Sequence, residues 1–270
     1  MRNPESSFSL FDLRSLLFLP ASNERAIMHA RNSAADLVIL DLEDAVKPAD
    51  KDAARATAIA ALGEPWPMPV AIRINSRASQ WHGEDMVAVM STNPDVIVVP
   101  RAEGKDEVAF VRNQTGKPVA AMIETAKGLI HIHETAREAS ALIAGTNDLS
   151  ADLRLPAGAG RAPLQMALQS TVLAARAAGI AVFDGVFNGL EDEAGFAAEA
   201  AESRRLGFDG KSLIHPNQIA PCHAAFSPSA EDIARAGRLV AAAGGGAERF
   251  EGGMVERMHV EAAERLLKRR

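Results

Sequence analysis

The chain has almost no cysteine, no excess of positive charge and no long hydrophobic run, and each shortage excludes a class of protein. Cys222 is the single cysteine, so no internal disulfide can form and an oxidising compartment gains no support. The formal net charge is −6, whereas general binding to nucleic acid needs a basic face. No apolar run approaches the roughly 20 residues of a membrane span, and no signal peptide is recognisable. We therefore expect a cytoplasmic protein with neither nucleic acid nor a membrane as partner.

The composition is that of a globular protein able to bury a full core. Hydrophobic residues make up 47% of the 270 residues and charged residues 24%, which is typical of soluble domains. The length allows one large domain or two small ones, and a single α/β barrel needs about 250 residues.

Short apolar runs alternate with alanine-rich segments of helical period. The runs occupy residues 15–19, 37–42, 70–74, 96–99, 119–123, 141–144, 180–186 and 210–214. Runs that are apolar on both faces suit parallel strands covered by helices. Eight such units favour closure, so we predict an α/β fold, a (β/α)8 TIM barrel over residues 1–228. Six units with two extra strands are the alternative.

The pattern changes after the eighth run. Residues 230–243 have helical period, residues 244–253 are rich in glycine, and residues 254–268 again have helical period. We predict a C-terminal helical extension over residues 229–270, in which a flexible connector carries a second helix. Such a mobile tail is expected to dock elsewhere, for example on a neighbouring subunit.

Polar side chains gather where the predicted strands end. They are Asp41, Glu43, Asp44, Arg73, Asn75, Arg101, Glu124, Asp148, Asp184 and His215. In TIM barrels the rim at the carboxyl ends of the strands carries the active site. The sequence therefore predicts an active site at this rim.

Glu124 and Asp148 follow consecutive strands. Adjacent parallel strands lie about 4.8 Å apart, so the two carboxylates can share one ion. Carboxylates completed by water and substrate oxygens form a site of the Mg²⁺ or Mn²⁺ type, and no His or Cys beside them favours zinc. Capping of the following helices is the equally weighted alternative.

Arg73 at the end of the third strand is a candidate for binding a substrate carboxylate through two parallel hydrogen bonds. The alternative is an ion pair of Arg73 with Glu43 or Asp44. These two acids could also orient water or act as general base. Arg101 and Lys211 either neutralise ligand phosphates or are solvated charges of the rim. Asn75 is a further candidate for substrate binding.

Seven segments in chain order carry a resemblance to a known family. They are RSLLFLP (14–20), LDLEDAV (40–46), RIN (73–75), VPR (99–101), IETAKGL (123–129), GTNDLSADL (145–153) and LGFDGKSLIHPNQI (206–219). In these segments the chain resembles the citrate lyase beta-subunit-like branch of the HpcH/HpaI aldolase family. Each motif alone is weak, but together they span nearly the whole chain.

The resemblance implies a Mg²⁺-dependent barrel, with Mn²⁺ as an alternative ion, that forms homotrimers or hexamers. It implies a carbon–carbon lyase that cleaves or forms a 3-hydroxyacyl-CoA thioester of the citryl-, malyl- or citramalyl-CoA type, with the CoA thioester as substrate. The resemblance also implies that Glu124 and Asp148 are the metal ligands and that Arg73 binds a 2-oxo acid. The segment GMVE (253–256) resembles the family's lid, whose acid/base residue acts in a neighbour's active site.

The chain departs from the family pattern at three positions: Glu256 replaces an Asp, Ala21 replaces a Gly, and His29 replaces a Lys. We expect Glu256 of a neighbour, or Glu43 locally, to move the proton on the acyl carbon. The alternatives are a CoA-independent metal aldolase acting on hydroxy-oxo acids and a non-catalytic subunit or ligand-binding barrel.

Overall fold

The structure is a computed structural model that describes residues 8–244 and 246–268. Contacts divide the chain into two compact units, one ending at Phe226 and the other beginning at Ser227. Within the described ranges, no helix combines the length and the hydropathy that crossing a bilayer demands.

The first unit is a closed barrel of eight parallel strands, so the predicted fold class is confirmed. Its strands are β1 (Ser15–Pro20), β2 (Leu37–Asp41), β3 (Val70–Arg73), β4 (Val96–Val99), β5 (Val119–Ile123), β6 (Ala141–Ala144), β7 (Ala181–Asp184) and β8 (Gly210–Leu213). Each strand pairs with the next in sequence, and β8 closes the barrel on β1 with Ser212 opposite Leu16.

Helices separate the strands and cover the barrel. They are α1 (Glu24–Ala30), α2 (Lys51–Leu62), α3 (His82–Ser91), α4 (Lys105–Thr115), α5 (Ala126–Ile130), α6 (Ile132–Glu138), α7 (Thr146–Asp152), α8 (Gln165–Ala178), α9 (Glu193–Leu206) and α10 (Ile219–Phe226). Gly116 and Gly179 end α4 and α8 in the left-handed conformation, which glycine adopts without steric cost.

Side chains alternate between two hydrophobic layers along each strand. On β1, Leu16 and Phe18 point into the barrel, where Phe183 of β7 packs with them. Leu17 and Leu19 point outward into the larger layer beneath the helices. Because successive side chains of a strand face opposite sides, both faces must be apolar, which explains the continuous apolar runs.

The second unit contains α11 (Ala230–Ala242), β9 (Glu248–Phe250), β10 (Gly253–Val255) and α12 (Arg257–Lys268). Ser229 and Asp232 form a capping box at the start of α11. The small core comprises Ala236, Leu239, Val255 and Ala263.

The prediction of a flexible connector over residues 244–253 is wrong for residues 248–253, and residue 245 lies outside the described residues. β9 and β10 form an antiparallel hairpin, with Arg249 opposite Met254. Its turn places Glu251 and Gly252 at φ 48° and 87°, and the Glu251 carboxylate accepts hydrogen bonds from Arg235 and Arg238 of α11. Since α12 packs on α11 within this unit, its order does not require docking elsewhere.

Candidate active site

A cavity of about 370 Å³ opens at the carboxyl ends of the strands. Its lining combines apolar side chains with acidic and basic groups, and the charged groups lie at or just after the ends of β2, β3, β5 and β6. The lining residues are Phe18, Leu19, Pro20, Asp41, Asp44, Ala45, Arg73, Met122, Glu124, Ala144, Gly145, Thr146, Asn147, Asp148, Val186, Ser212 and Ile214. The predicted candidates Asp44, Arg73, Glu124 and Asp148 thus line one cavity.

Arg73 is buried at the end of β3 and is held on one side by Asp41. Its Nε and Nη2 donate to the two carboxylate oxygens of Asp41 over 2.7 and 2.6 Å. Nη1 lies 3.0 Å from Oε2 of Glu43, although the contact is not aligned as a hydrogen bond. Nη1 thus lies beside Glu43 and also donates to Sδ of Met122 over 3.7 Å, while Asp41 orients the guanidinium.

Glu43 is buried beside Arg73, just after β2. Burial raises its pKa to about 8; Arg73 opposes this shift, whereas Asp44, Glu124 and Asp41 add to it. A carboxyl group with such a pKa exchanges its proton near neutral pH, as a general acid or base must.

Glu124 follows β5 directly and is 2% exposed. Burial raises its pKa to about 7; the backbone N–H of Arg101 and the charge of Arg73 oppose this shift, and Asp148 adds to it. Thr125, not Glu124, caps α5 by accepting from Gly128, so the capping alternative does not hold for Glu124.

Asp148 lies in the first turn of α7 and is half-buried. Burial raises its pKa, and the charge of Asp44 adds to the shift, while Arg101 and Arg73 oppose it. Burial is the main cause of the raised pKa of all three carboxyl groups, and neighbouring carboxylates add to it.

The chemistry of the paired carboxylates fits a divalent ion. No group of three or more His, Cys, Asp or Glu suited to a metal occurs in the part of the chain that the structure describes. Glu124 and Asp148 would hold the ion, and water or substrate oxygens would fill the other positions, as Mg²⁺ commonly requires.

Two candidates for substrate binding lie elsewhere among the described residues. Asn75 is buried outside the cavity lining, where its side chain accepts from Lys51 and donates to Asp85 and to the carbonyl of Leu42. The exposed side chain of Arg101 lines a second, outer cavity instead. The hydrogen bonds of Asn75 favour a structural role for its side chain. The Arg101 guanidinium does not line the main cavity.

Asp184 and Lys211 are buried between the barrel and α9, so the prediction that Lys211 is a phosphate-binding or solvated rim charge is wrong. The Lys211 ammonium donates to Asp184, to Glu199 and to the carbonyl of Gly185 over 2.6–2.7 Å. Its charge is neutralised within the protein.

Glu256 belongs to the second unit, where its backbone N–H donates to Nδ1 of His259. The side chain is partly exposed at the start of α12. Its role as acid/base in a neighbour's site stays a prediction.

Residues that the sequence analysis did not single out also shape the site. The ring of Phe18 lies 5.1 Å from the guanidinium of Arg73, and the buried Lys51 ammonium donates to the carbonyls of Leu42 and Glu43. Lys51 thereby fixes the loop that carries Glu43. The alternation along β1 could have indicated Phe18, but the contacts of Lys51 join distant segments and leave no local pattern.

A closed (β/α)8 barrel with acidic and basic side chains gathered at the carboxyl ends of its strands defines a TIM-barrel protein with a candidate active site at that rim. The chain belongs to the HpcH/HpaI aldolase/citrate lyase family, which matches residues 14–216. The family membership expected from the sequence is therefore confirmed.

Relatives at similar distance carry different names. The chain is 36% identical to a (3S)-malyl-CoA thioesterase of Cereibacter sphaeroides, covering 94% of this chain and 93% of the relative. It is 32% identical to the citrate lyase subunit beta of Escherichia coli, covering 95% and 92%. Among solved structures, the protein CitE of Mycobacterium tuberculosis in complex with magnesium, acetoacetate and coenzyme A matches with a TM-score of 0.85 and 33% identity, covering 95% and 97%.

Proposed function

We propose that this protein is a Mg²⁺-dependent carbon–carbon lyase that cleaves or forms a 3-hydroxyacyl-CoA thioester from a 2-oxo acid and an acyl-CoA. The observation that supports this most is the single cavity in which Glu124 and Asp148 share the lining with the oriented guanidinium of Arg73. A relative crystallised with magnesium, a small oxo acid and coenzyme A agrees with this ligand set.

The divalent ion, held by Glu124 and Asp148, would supply Lewis-acid polarisation of the oxo-acid carbonyl. Arg73 binds the acid through its Nη1 side and stabilises the negative charge that grows on the carbonyl oxygen. Asp41 holds the guanidinium in place during this charge change.

The carboxyl groups would perform different proton transfers in this reaction. In condensation, a carboxylate removes a proton from the carbon next to the thioester, and that carbon attacks the oxo-acid carbonyl. The new hydroxyl oxygen takes up one proton, which Glu43 would donate from its place beside Nη1 of Arg73. In cleavage, Glu43 accepts that proton back as the carbon–carbon bond breaks.

Two further assignments belong to the proposal. Asp44 lines the same cavity and would orient water or share the proton transfer. Assembly as a homotrimer or hexamer would allow the second unit of one subunit to reach a neighbour's rim and bring Glu256 to the acyl carbon.

A second candidate is hydrolysis of the thioester, because relatives with 36% identity are named (3S)-malyl-CoA thioesterases. In that reaction water attacks the thioester carbonyl and the carbon–sulfur bond breaks. The same carboxyl groups could accept the proton of that water.

The two candidates release different products from (3S)-malyl-CoA. The lyase gives acetyl-CoA and glyoxylate without a free thiol, whereas hydrolysis gives malate and the CoA thiol, which a thiol reagent detects. We expect glyoxylate in the presence of Mg²⁺, and we expect mass spectrometry to detect condensation when acetyl-CoA is mixed with glyoxylate, pyruvate or oxaloacetate. Thiol release without glyoxylate would replace the lyase assignment by hydrolysis.

Variants connect the products to the site. Glu124→Ala and Asp148→Ala should each abolish turnover with the fold intact. Glu138→Ala is the matched control, because that carboxylate pairs with Arg112 on the outside of the barrel. Turnover of free hydroxy-oxo acids without CoA would instead favour the CoA-independent aldolase, and no turnover of any substrate would favour a ligand-binding barrel.

A further inference from the structure

The carboxylate of Glu124 is enclosed by two backbone features of neighbouring strands. On one side, the N–H of Arg101, just after β4, donates to Oε1 over 2.5 Å. On the other side lies Gly145, just after β6, where an added Cβ would meet the Glu124 Cβ at 2.3 Å and Oε2 at 2.4 Å. Real Cβ atoms do not approach other atoms so closely.

The backbone of Arg101 adopts a conformation that side chains disfavour. Its φ is +47°, in the left-handed region where residues other than glycine are uncommon and strained. The next residue, Ala102, is tied to β5 through a 3.0 Å hydrogen bond to the carbonyl of Met122. Arg101 is therefore both the residue in the left-handed conformation and the residue whose N–H donates to Glu124.

Gly145 is required for space and not for its backbone conformation. Its φ of −96° is open to any residue. Its own N–H donates to the carbonyl of Ile123 over 3.0 Å, which fixes the α carbon of Gly145 beside Glu124. A methyl group at this position could be admitted only by moving the Glu124 side chain or the strand end.

We propose that Arg101 and Gly145 are positioning residues for the metal-binding carboxylate: Arg101 acts through its backbone N–H and Gly145 through the absence of a Cβ. Together they fix the orientation of Glu124 toward the ion shared with Asp148. The inference rests on the proposed function, because it assumes that Glu124 binds the metal. It also assigns Arg101 a role that its guanidinium does not perform.

The test is Mn²⁺ affinity, measured from the electron paramagnetic resonance signal of free Mn²⁺ titrated with the full-length protein. Gly145→Ala should weaken Mn²⁺ binding at least tenfold, whereas Gly104→Ala, the matched control with open space around its Cβ position, should not change it. Arg101→Ala and Arg101→Gly both keep the N–H and both lose the guanidinium charge that acts on Asp148, so the two should bind Mn²⁺ equally and serve as the reference for Arg101→Pro. Arg101→Pro lacks the N–H and cannot adopt positive φ, so it should lose at least tenfold in affinity.

Thermal unfolding supplies a readout that does not depend on the metal. Arg101→Gly should have a higher melting temperature than Arg101→Ala, because only glycine relieves the left-handed strain. If Gly145→Ala does not fold, the double variant Gly145→Ala with Glu124→Gly should fold again, since the clash is with the Glu124 side chain. A double variant that also fails to fold would overturn the role of Gly145. An Ala variant at 101 as stable as the Gly variant would contradict the left-handed strain at this residue, while wild-type Mn²⁺ affinity in Arg101→Pro would overturn the role of its N–H.

The variant Glu124→Gln separates a missing metal site from a missing positioning role of Arg101 and Gly145. Absence of Mn²⁺ binding by the wild type, or wild-type affinity in Glu124→Gln, would remove the metal site itself. Loss of binding in Glu124→Gln together with wild-type affinity in Gly145→Ala and Arg101→Pro would overturn only the positioning roles.

Discussion

Replacing Arg73 by Lys separates substrate binding from simple charge balance. The ammonium keeps the positive charge but offers a single nitrogen, whereas the guanidinium donates to both oxygens of Asp41 over 2.7 and 2.6 Å and still presents Nη1. A lysine that stays paired with Asp41 therefore has no second nitrogen with which to hold a substrate oxygen in the same geometry.

The size of the effect follows from the bonds that are lost. A hydrogen bond to a charged group contributes about 1.5–3 kcal/mol, and each 1.4 kcal/mol corresponds to roughly a factor of ten. Loss of one such bond to the oxo acid should reduce kcat/KM by about 10- to 150-fold. The loss should be greater when the oxo acid is varied than when the acyl-CoA is varied.

Steady-state kinetics with each substrate varied in turn, together with thermal unfolding, measure this prediction. The matched control is Arg176→Lys, because Arg176 also contacts both oxygens of its partner, Asp209, over 2.9 Å. Asp209 precedes β8 and so lies at the opposite end of the barrel. The control should lose stability without losing turnover. An unchanged KM and kcat for the oxo acid in Arg73→Lys would show that Arg73 only braces Asp41 and Glu43.

Three further predictions address protonation, thiol reactivity and the second unit. Because burial raises the pKa of Glu124 to about 7, Mn²⁺ affinity should fall by about tenfold per pH unit below that value. The metal-free protein should lose stability as the pH rises from 4.5 through 7. An Mn²⁺ affinity and a stability that both stay constant with pH would contradict the raised pKa. Burial raises the pKa of Cys222 to about 12, so iodoacetamide at pH 8 should alkylate it only after unfolding, and equal rates in native and unfolded protein would refute its burial. Glu256→Gln should lose turnover at unchanged Mn²⁺ affinity while Glu256→Asp keeps or raises it, and full turnover in the Gln variant would assign the proton transfer to Glu43.

The barrel could be predicted from the sequence because its strands are apolar on both faces and begin and end abruptly. The expected runs at 96–99, 119–123 and 141–144 coincide with β4, β5 and β6. The helical segment that follows β5 is divided into two helices, since α5 ends at Ile130 and α6 begins at Ile132. Both halves share one helical period, so the short break leaves no signal in the apolar pattern.

The hairpin of the second unit could not be predicted for a different reason. Glycine-rich composition is typical of flexible segments, yet here Glu251 is held by Arg235 and Arg238, which precede it by 16 and 13 residues. These ion pairs are exposed and connect separate elements. Local composition contains no trace of them.

Position at a strand's end identifies the rim of the barrel but not the face on which a side chain lies. The alternation along each strand supplies the missing information. Phe183 points into the barrel, so Asp184 must point toward the helices. By the same rule Lys211, next to the cavity-lining Ser212, faces outward, and the two charges meet there.

The same alternation places the remaining candidates inside the mouth. Leu40 and Ile72 face the helices, so Asp41 and Arg73, one residue further on, face inward, where they form their ion pair. Met122 faces inward, and Glu124, two residues later, does the same. A shift of one residue along a strand therefore separates a carboxylate that lines the cavity, such as Glu124, from one that pairs with buried cations, as Asp184 does with Lys211 and Arg161. Counting from the nearest apolar side chain of the core decides which of the two a given residue is.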